Sequence, residues 1–124
     1  MTGLSINKLI YDILINDKEL NKIVSNKIYP LLADEATTFP FIIFRRNSID
    51  TEYTKDGRVY DVCSVSIAVA STTYEQNIRI SERVRELIEL RRSEHINYSI
   101  LSSVNEDYLE DTYITELVFR ITLK

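Results

Sequence analysis

Cysteine is nearly absent. Cys63 is the only one in 124 residues, so no disulfide can close within the chain and no cysteine cluster can hold a metal. That fits a reducing compartment. Glycine and proline number two each, which leaves few flexible joints. Neither G-x-G-x-x-G nor G-x-x-x-x-G-K-S/T can be written, so a glycine-rich phosphate cradle is excluded. His95 is the one histidine. A metal site would therefore depend on carboxylates alone, and Cys63, in mid-strand on an apolar face, has no histidine in register to activate it as a nucleophile. No run approaches the ~20 apolar residues of a membrane span, and Met1 to Lys8 lacks the basic-then-apolar build of a secretory signal. A broad excess of basic charge is also missing. The formal charge is −4 with both signs interspersed, which argues against nucleic-acid or membrane binding.

What remains is an ordinary globular composition, 44% hydrophobic and 27% charged. A chain of this length buries roughly two-thirds of its unfolded surface and needs no staples. Residues 1–124 read as a single domain without linker or internal repeat.

Ser5 predicts a helix start, with Ile6, Leu9, Ile10, Ile13 and Leu14 on one buried face. Asp17 predicts the cap of a second short turn that buries Leu20, Ile23 and Val24. Ile28-Tyr29-Pro30 reads as a short extended piece, and Pro30 confines it to an edge or an isolated bridge. A polar loop over 33–38 leads to a strand at Phe39-Pro40-Phe41-Ile42-Ile43-Phe44, apolar on both faces and expected to be covered on both. Asp50 to Arg58 reads as a polar segment ending in the turn signal Lys55-Asp56-Gly57.

Val59 to Ala70 alternates. Val59, Cys63, Val65, Ile67 and Val69 share one face with Asp61, while Tyr60, Val62, Ser64, Ser66 and Ala68 share the other. The small residues of that second face leave room for a helix or a neighbouring subunit. A capping box, Thr72 with Glu75 or Thr73 with Gln76, opens a helix to about Arg92 that buries Ile80, Val84, Leu87 and Ile88. Its polar face carries Glu75, Arg79, Glu82, Arg83 and Glu86 at pairing distances. Tyr98 to Val104 reads as a modest strand, Asn105 to Asp111 as an acidic turn, and Tyr113 to Leu123 as a last strand with Leu117, Phe119, Ile121 and Leu123 inward. The expected fold is α+β: a single, mainly antiparallel sheet of four long strands packed by an N-terminal helix and one long helix, in the order α-β-β-α-β-β.

No cluster of reactive side chains emerges. Glu106, Asp107, Glu110 and Asp111 match neither EF-hand spacing nor its central glycine, and a solvated turn accounts for them. The doublets Arg45-Arg46 and Arg91-Arg92 stand near acids in sequence and are expected to form surface ion pairs. Eight tyrosines form no nucleic-acid-binding signature, although tyrosine is enriched at protein interfaces. An assembly protein fits these features better than an enzyme. A small regulatory or nucleic-acid-binding α+β module of a mobile element is the alternative.

Two stretches resemble the bacteriophage tail-completion, or tail-terminator, proteins. One runs from Asn16-Asp17 through Leu20 and Ile23-Val24 to Lys27-Ile28-Tyr29-Pro30. The other is Phe39-Pro40-Phe41-Ile42-Ile43-Phe44, followed by the long alternating strand, the helix and the closing strand pair. The resemblance spans the chain from about residue 4 onward. It implies a non-enzymatic virion protein with no catalytic, cofactor or metal site, made in the host cytoplasm. Such a protein forms a homo-oligomeric ring, typically a hexamer, at the head-proximal end of a tail. Its expected partners are further copies of itself, the tail-tube protein and head-joining proteins, with no membrane and no specific nucleic acid. The segment Ile49 to Arg58 is the expected assembly loop, with Ile49, Asp50, Glu52, Tyr53, Lys55, Asp56 and Arg58 as its contact residues. It is expected to be mobile in the free subunit and ordered on assembly.

Overall fold

The N-terminal apolar spacing becomes a helix in the computed structural model, which describes residues 1–124. Helix α1 (Ile6–Ile15) buries Ile6, Ile10 and Leu14. The side chain of Ser5 makes no capping bond. A 3-10 turn over Gly3–Ser5 leads into the helix instead, with Thr2 Oγ1 accepting from the Leu4 N–H at 3.3 Å. Asp17 does cap α2 (Lys18–Val24), accepting from the Leu20 N–H at 2.8 Å. Within α2, Asn21 Nδ2 donates to the carbonyls of Leu14 and Ile15, both at 3.0 Å. These belong to the end of α1, where carbonyls have no partner within their own helix.

The five strands are β1 (Ile28–Pro30), β2 (Phe41–Thr54), β3 (Gly57–Ser71), β4 (Ile96–Leu109) and β5 (Thr112–Leu123), and α3 (Tyr74–Ile88) lies between β3 and β4. They form one sheet in the order β1-β2-β3-β5-β4. The expected four antiparallel strands are thus corrected to five in a mixed sheet, because β1 pairs parallel with Ile42–Phe44 of β2. Pro30 ends this short edge strand, where its missing amide proton costs little.

The polar segments are strand as well. Asp50 to Thr54 pairs with Gly57 to Val62, and Asn105 to Leu109 pairs with Thr112 to Glu116. Backbone pairing continues through both segments, as a two-stranded ribbon of β2 with β3 and, for Tyr113 to Glu116, with β3 on the other side of β5, so polarity here marks exposure and not the end of pairing. The turns shrink to Lys55-Asp56 and to Glu110-Asp111, whose φ values of 49° and 60° suit a tight hairpin.

All three α-helices lie on one side of the sheet. Their buried residues and those of one sheet face, among them Phe44, Val65, Ile67, Phe119 and Ile121, make a single cluster of 20 buried side chains. Helix α3 starts at Thr73, whose hydroxyl accepts from the Gln76 N–H at 3.3 Å. It ends at Ile88 rather than Arg92, because Glu89 is extended and the Leu90 N–H donates to the Ser99 carbonyl at 2.7 Å. Leu87 is half-buried at the margin of the core, while Ile80, Val84 and Ile88 are inside it.

Candidate assembly surface

No helix covers the sheet's other face, although Val62, Ser66, Ala70 and Thr122 on it are themselves buried. By register, Phe41, Ile43, Ala68, Val118 and Ile100 point away from the helices, and none belongs to the buried cluster or packs against it. The expectation that Phe41 to Phe44 would be covered on both sides is therefore corrected. Ile42 and Phe44 are buried, whereas Phe41 and Ile43 are only half-buried. One layer of helices covers one face, and the chain has no element left for the second. Ser64, Ser66 and Ala68 keep the middle of that face low and flat. At its margin Tyr98 is 39% exposed and Ile100 is 38% exposed.

The two long hairpins turn at opposite ends of the sheet, and only the β2–β3 hairpin overruns it. Gly57 to Asp61 of β3 lie beyond the last pair with β5, Val62 opposite Thr122. The β4–β5 turn lies beyond the pair of Ser71 with Tyr113 at the other end. Of the residues expected to form an assembly loop, Asp50, Glu52, Tyr53, Lys55, Asp56 and Arg58 are exposed on the β2–β3 hairpin. Ile49 stands apart, half-buried against the core.

The base of this hairpin is anchored by a polar knot that explains Asp61 on an otherwise apolar face. Asp61 accepts from the Gly3 N–H at 2.7 Å and from the Thr51 hydroxyl at 2.6 Å. These two bonds hold its carboxyl below the usual carboxylate range, with the Gly3 amide the larger cause. A Cβ on Gly3 would stand 2.9 Å from both Cys63 Sγ and Ile49 Cγ2, so only glycine lets the N-terminus lie this close. Arg46 secures the same segment by donating to the carbonyls of Gly3 at 3.2 Å and Leu4 at 3.0 Å. Burial pushes the Cys63 thiol up to about 11, which keeps it protonated and unreactive at neutral pH.

The expected ion pairing of the arginine doublets is not found. Arg46 binds the carbonyls named above and Arg91 donates to the Leu87 carbonyl at 3.0 Å, while none of Arg45, Arg46, Arg91 and Arg92 forms a salt bridge. Arg83, expected on the polar face of α3, instead ties α3 to α2. It grips Asp17 through two bonds of 2.9 and 2.7 Å and holds that carboxyl below its usual range. His95 is half-buried just before β4, and its carbonyl accepts from the Lys124 N–H at 2.9 Å.

No family model matches the chain, and neither does any curated protein. Its fold matches a solved chain of the virion of a native gene transfer agent particle. The TM-score is 0.78 over 92% of this chain and 90% of that one, at 16% identity. At that identity the likeness is one of fold.

Two features were not legible in the spacing of residues. Asn77 looks like one more polar position in the first turn of α3, yet it is buried. Its Nδ2 donates to the carbonyls of Val69 at 2.9 Å and Tyr113 at 3.0 Å, and its Oδ1 accepts from Thr115. That knot pins α3 to β3 and β5. The second feature is an aromatic wall at the β4–β5 hairpin. Tyr113 packs against Tyr74 at 5.4 Å and Tyr108 at 4.7 Å between ring centroids, at the side of an open cleft of about 570 Å³. The eight tyrosines signalled interfaces in general, but only the pairing of β4 with β5 gathers these three.

Proposed function

We propose that this chain is a structural subunit of a phage-type tail, forming a homo-oligomeric ring that ends the tail tube and joins it to the head connector. The observation that carries this reading is the helix-free, half-apolar sheet face. A flat surface built from Phe41, Ile43, Val118 and Ile100 around small residues calls for a protein partner. The free outer edge of β4, 14 residues long, and the free edge of β2 beyond Phe44 add unpaired backbone on two sides of the same sheet. A subunit with different free surfaces on different sides suits head-to-tail contacts that close into a ring. The fold likeness to a virion chain agrees with this and with a place in the virion. The tail-tube and head-joining proteins are the proposed partners, and the chain is proposed to act without chemistry of its own.

The β2–β3 hairpin, with Asp50, Glu52, Tyr53, Lys55, Asp56 and Arg58 exposed, is the proposed contact with a neighbouring subunit. Its mixed charge would set register by pairing opposite signs. Replacing Thr51 to Asp56 by two glycines tests it. The shortened chain should keep its far-ultraviolet circular dichroism and lose both ring formation in light scattering and completion of tails. A shortened chain that still forms the wild-type oligomer and completes tails removes the hairpin from assembly.

A further inference from the structure

The cleft beside the tyrosine wall has the chemistry of a receptor for cationic side chains. Tyr74 and Tyr108 flank Tyr113 and offer ring faces, and Ile114 and Thr115 line the cleft beside them. The carboxylates of Glu106 and Asp107 line it, and Asp111 stands beside Tyr108. The Tyr74 hydroxyl donates to both oxygens of Glu106 at 3.1 Å, and the Tyr108 hydroxyl donates to Asp111 at 3.2 Å. These contacts hold both phenols above their ordinary range, as a concentrated negative field requires. No lysine or arginine answers the charge, for none of Glu106, Asp107, Glu110 and Asp111 forms a salt bridge. Carboxylates beside aromatic faces favour a guanidinium, which stacks on the ring while its N–H groups reach the oxygens. The same field repels phosphate and so disfavours nucleic acid.

The chain carries the complementary surface elsewhere on its sheet, away from the β4–β5 hairpin end. Arg45 pairs across from Ser66, and Arg120 from Ser64. Both arginines are therefore on the open face, flanking two small side chains, and both are exposed. Asp50 and Glu116 share that face, yet neither arginine forms a salt bridge. By contrast, Glu106 and Tyr108 lie opposite Thr115 and Tyr113 and share the helix side with Leu117. Asp107 and Ile114, which also line the cleft, are on the face of the arginines by register, so each copy offers an acidic aromatic cleft at the end of the β4–β5 hairpin and a pair of free arginines on the open sheet face. Unlike patches at unlike positions give a heterologous contact, which repeats from copy to copy until it closes.

We propose that the Tyr74–Tyr108–Tyr113 cleft of one copy receives Arg45 and Arg120 from the open sheet face of the next. This contact rests on the ring reading and assigns two of its surfaces.

Charge reversal tests it on the full-length chain. One variant carries Glu106→Arg with Asp111→Arg, and the other carries Arg45→Glu with Arg120→Glu. Each alone should fold, by circular dichroism, and assemble at least ten-fold more weakly than wild type in light scattering. Mixed in equal amounts they should recover assembly as an alternating ring, since each then presents the charge the other needs. If reversal prevents folding, Glu106→Gln and Arg45→Gln should each still weaken assembly. Added salt should dissociate the wild-type ring. Variants that assemble like wild type, or weakened variants that mixing does not rescue, overturn the contact and leave the ring standing. A wild-type chain that stays monomeric at every concentration overturns the ring and the contact together.

Discussion

The two hairpins are alike in length and differ in the charge of their tips. The β2–β3 hairpin is rooted in a buried polar knot, with Asp61 gripping Gly3 and Thr51, and its exposed tip carries both signs of charge in Glu52, Lys55, Asp56 and Arg58. The β4–β5 hairpin is rooted through β5 alone, where Asn77 binds the Tyr113 carbonyl and the Thr115 hydroxyl. Val104, Tyr108 and Leu109 are 47, 55 and 56% exposed, and its acids are all of one sign. A charge-balanced tip can satisfy itself in water, whereas an acidic aromatic one gains from a cationic partner. Both hairpins are anchored by their own chain, and the difference lies in the tips: one is balanced in charge, and the other leaves its acids without a cation.

The comparison breaks if either hairpin carries the stability of the domain. Phe119→Ala, in the fully buried centre of β5, should cost about 3–5 kcal/mol in denaturant titration. Tyr108→Ala should cost well under that, and an equal cost would mean that the β4–β5 hairpin is part of the core. Asn77→Ala leaves the carbonyls of Val69 and Tyr113 without a partner and should cost about 1–3 kcal/mol for each group stranded.

Asp61→Ala sharpens the contrast between the roots. It strands the Gly3 amide and the Thr51 hydroxyl, for about 1–3 kcal/mol. Hydrogen exchange should rise at Gly3 to Ile6 and around Thr51, and stay unchanged at the β4–β5 hairpin. The pH dependence has a definite sign. Asp61 and Asp17 are both lowered in the folded chain, so their stabilisation is complete above the unfolded value of about 3.9 and is lost as pH falls through the folded values. Acid unfolding below about pH 4 should therefore be milder in Asp61→Ala than in wild type.

Cys63 gives a smaller readout. Its raised thiol should not react with a disulfide reagent at neutral pH while the chain is folded, and should react fully in denaturant. The smallest effect should come from Asp107→Asn on the isolated chain. Asp107 is exposed and makes no salt bridge, so the change should stay within about 0.5 kcal/mol.

Leu87 shows why helix-face spacing misled at the margin of the core. It lies on the same side as Ile80, Val84 and Ile88, and periodicity alone would have it cost about 2–5 kcal/mol on truncation to alanine. It is only half-buried, packed against the edge of the core, and the lower end of that range is expected.

By itself the sequence determined the local pieces. Spacing of three and four residues wrote α1 and α3, alternation wrote β3 and β5, Asp17 and Thr73 wrote two helix starts, and Lys55-Asp56-Gly57 wrote a turn. These depend on neighbours in the chain, and neighbours are what a sequence displays. Tertiary structure alone decided where α3 stops, since the Leu90 amide is captured by Ser99 of β4. It also decided that the strands run on through polar residues, which a ribbon tolerates once its backbone is paired. That no helix covers Phe41 and Ile43 follows from the number of helices available to cover a sheet, which no alternation pattern counts. The Asn77 knot and the tyrosine cleft were hidden for the same reason. Asn77 and Tyr74 meet Tyr113 and Thr115 from more than thirty residues away in the chain, and only the closing of β4 onto β5 beside the start of α3 brings them together.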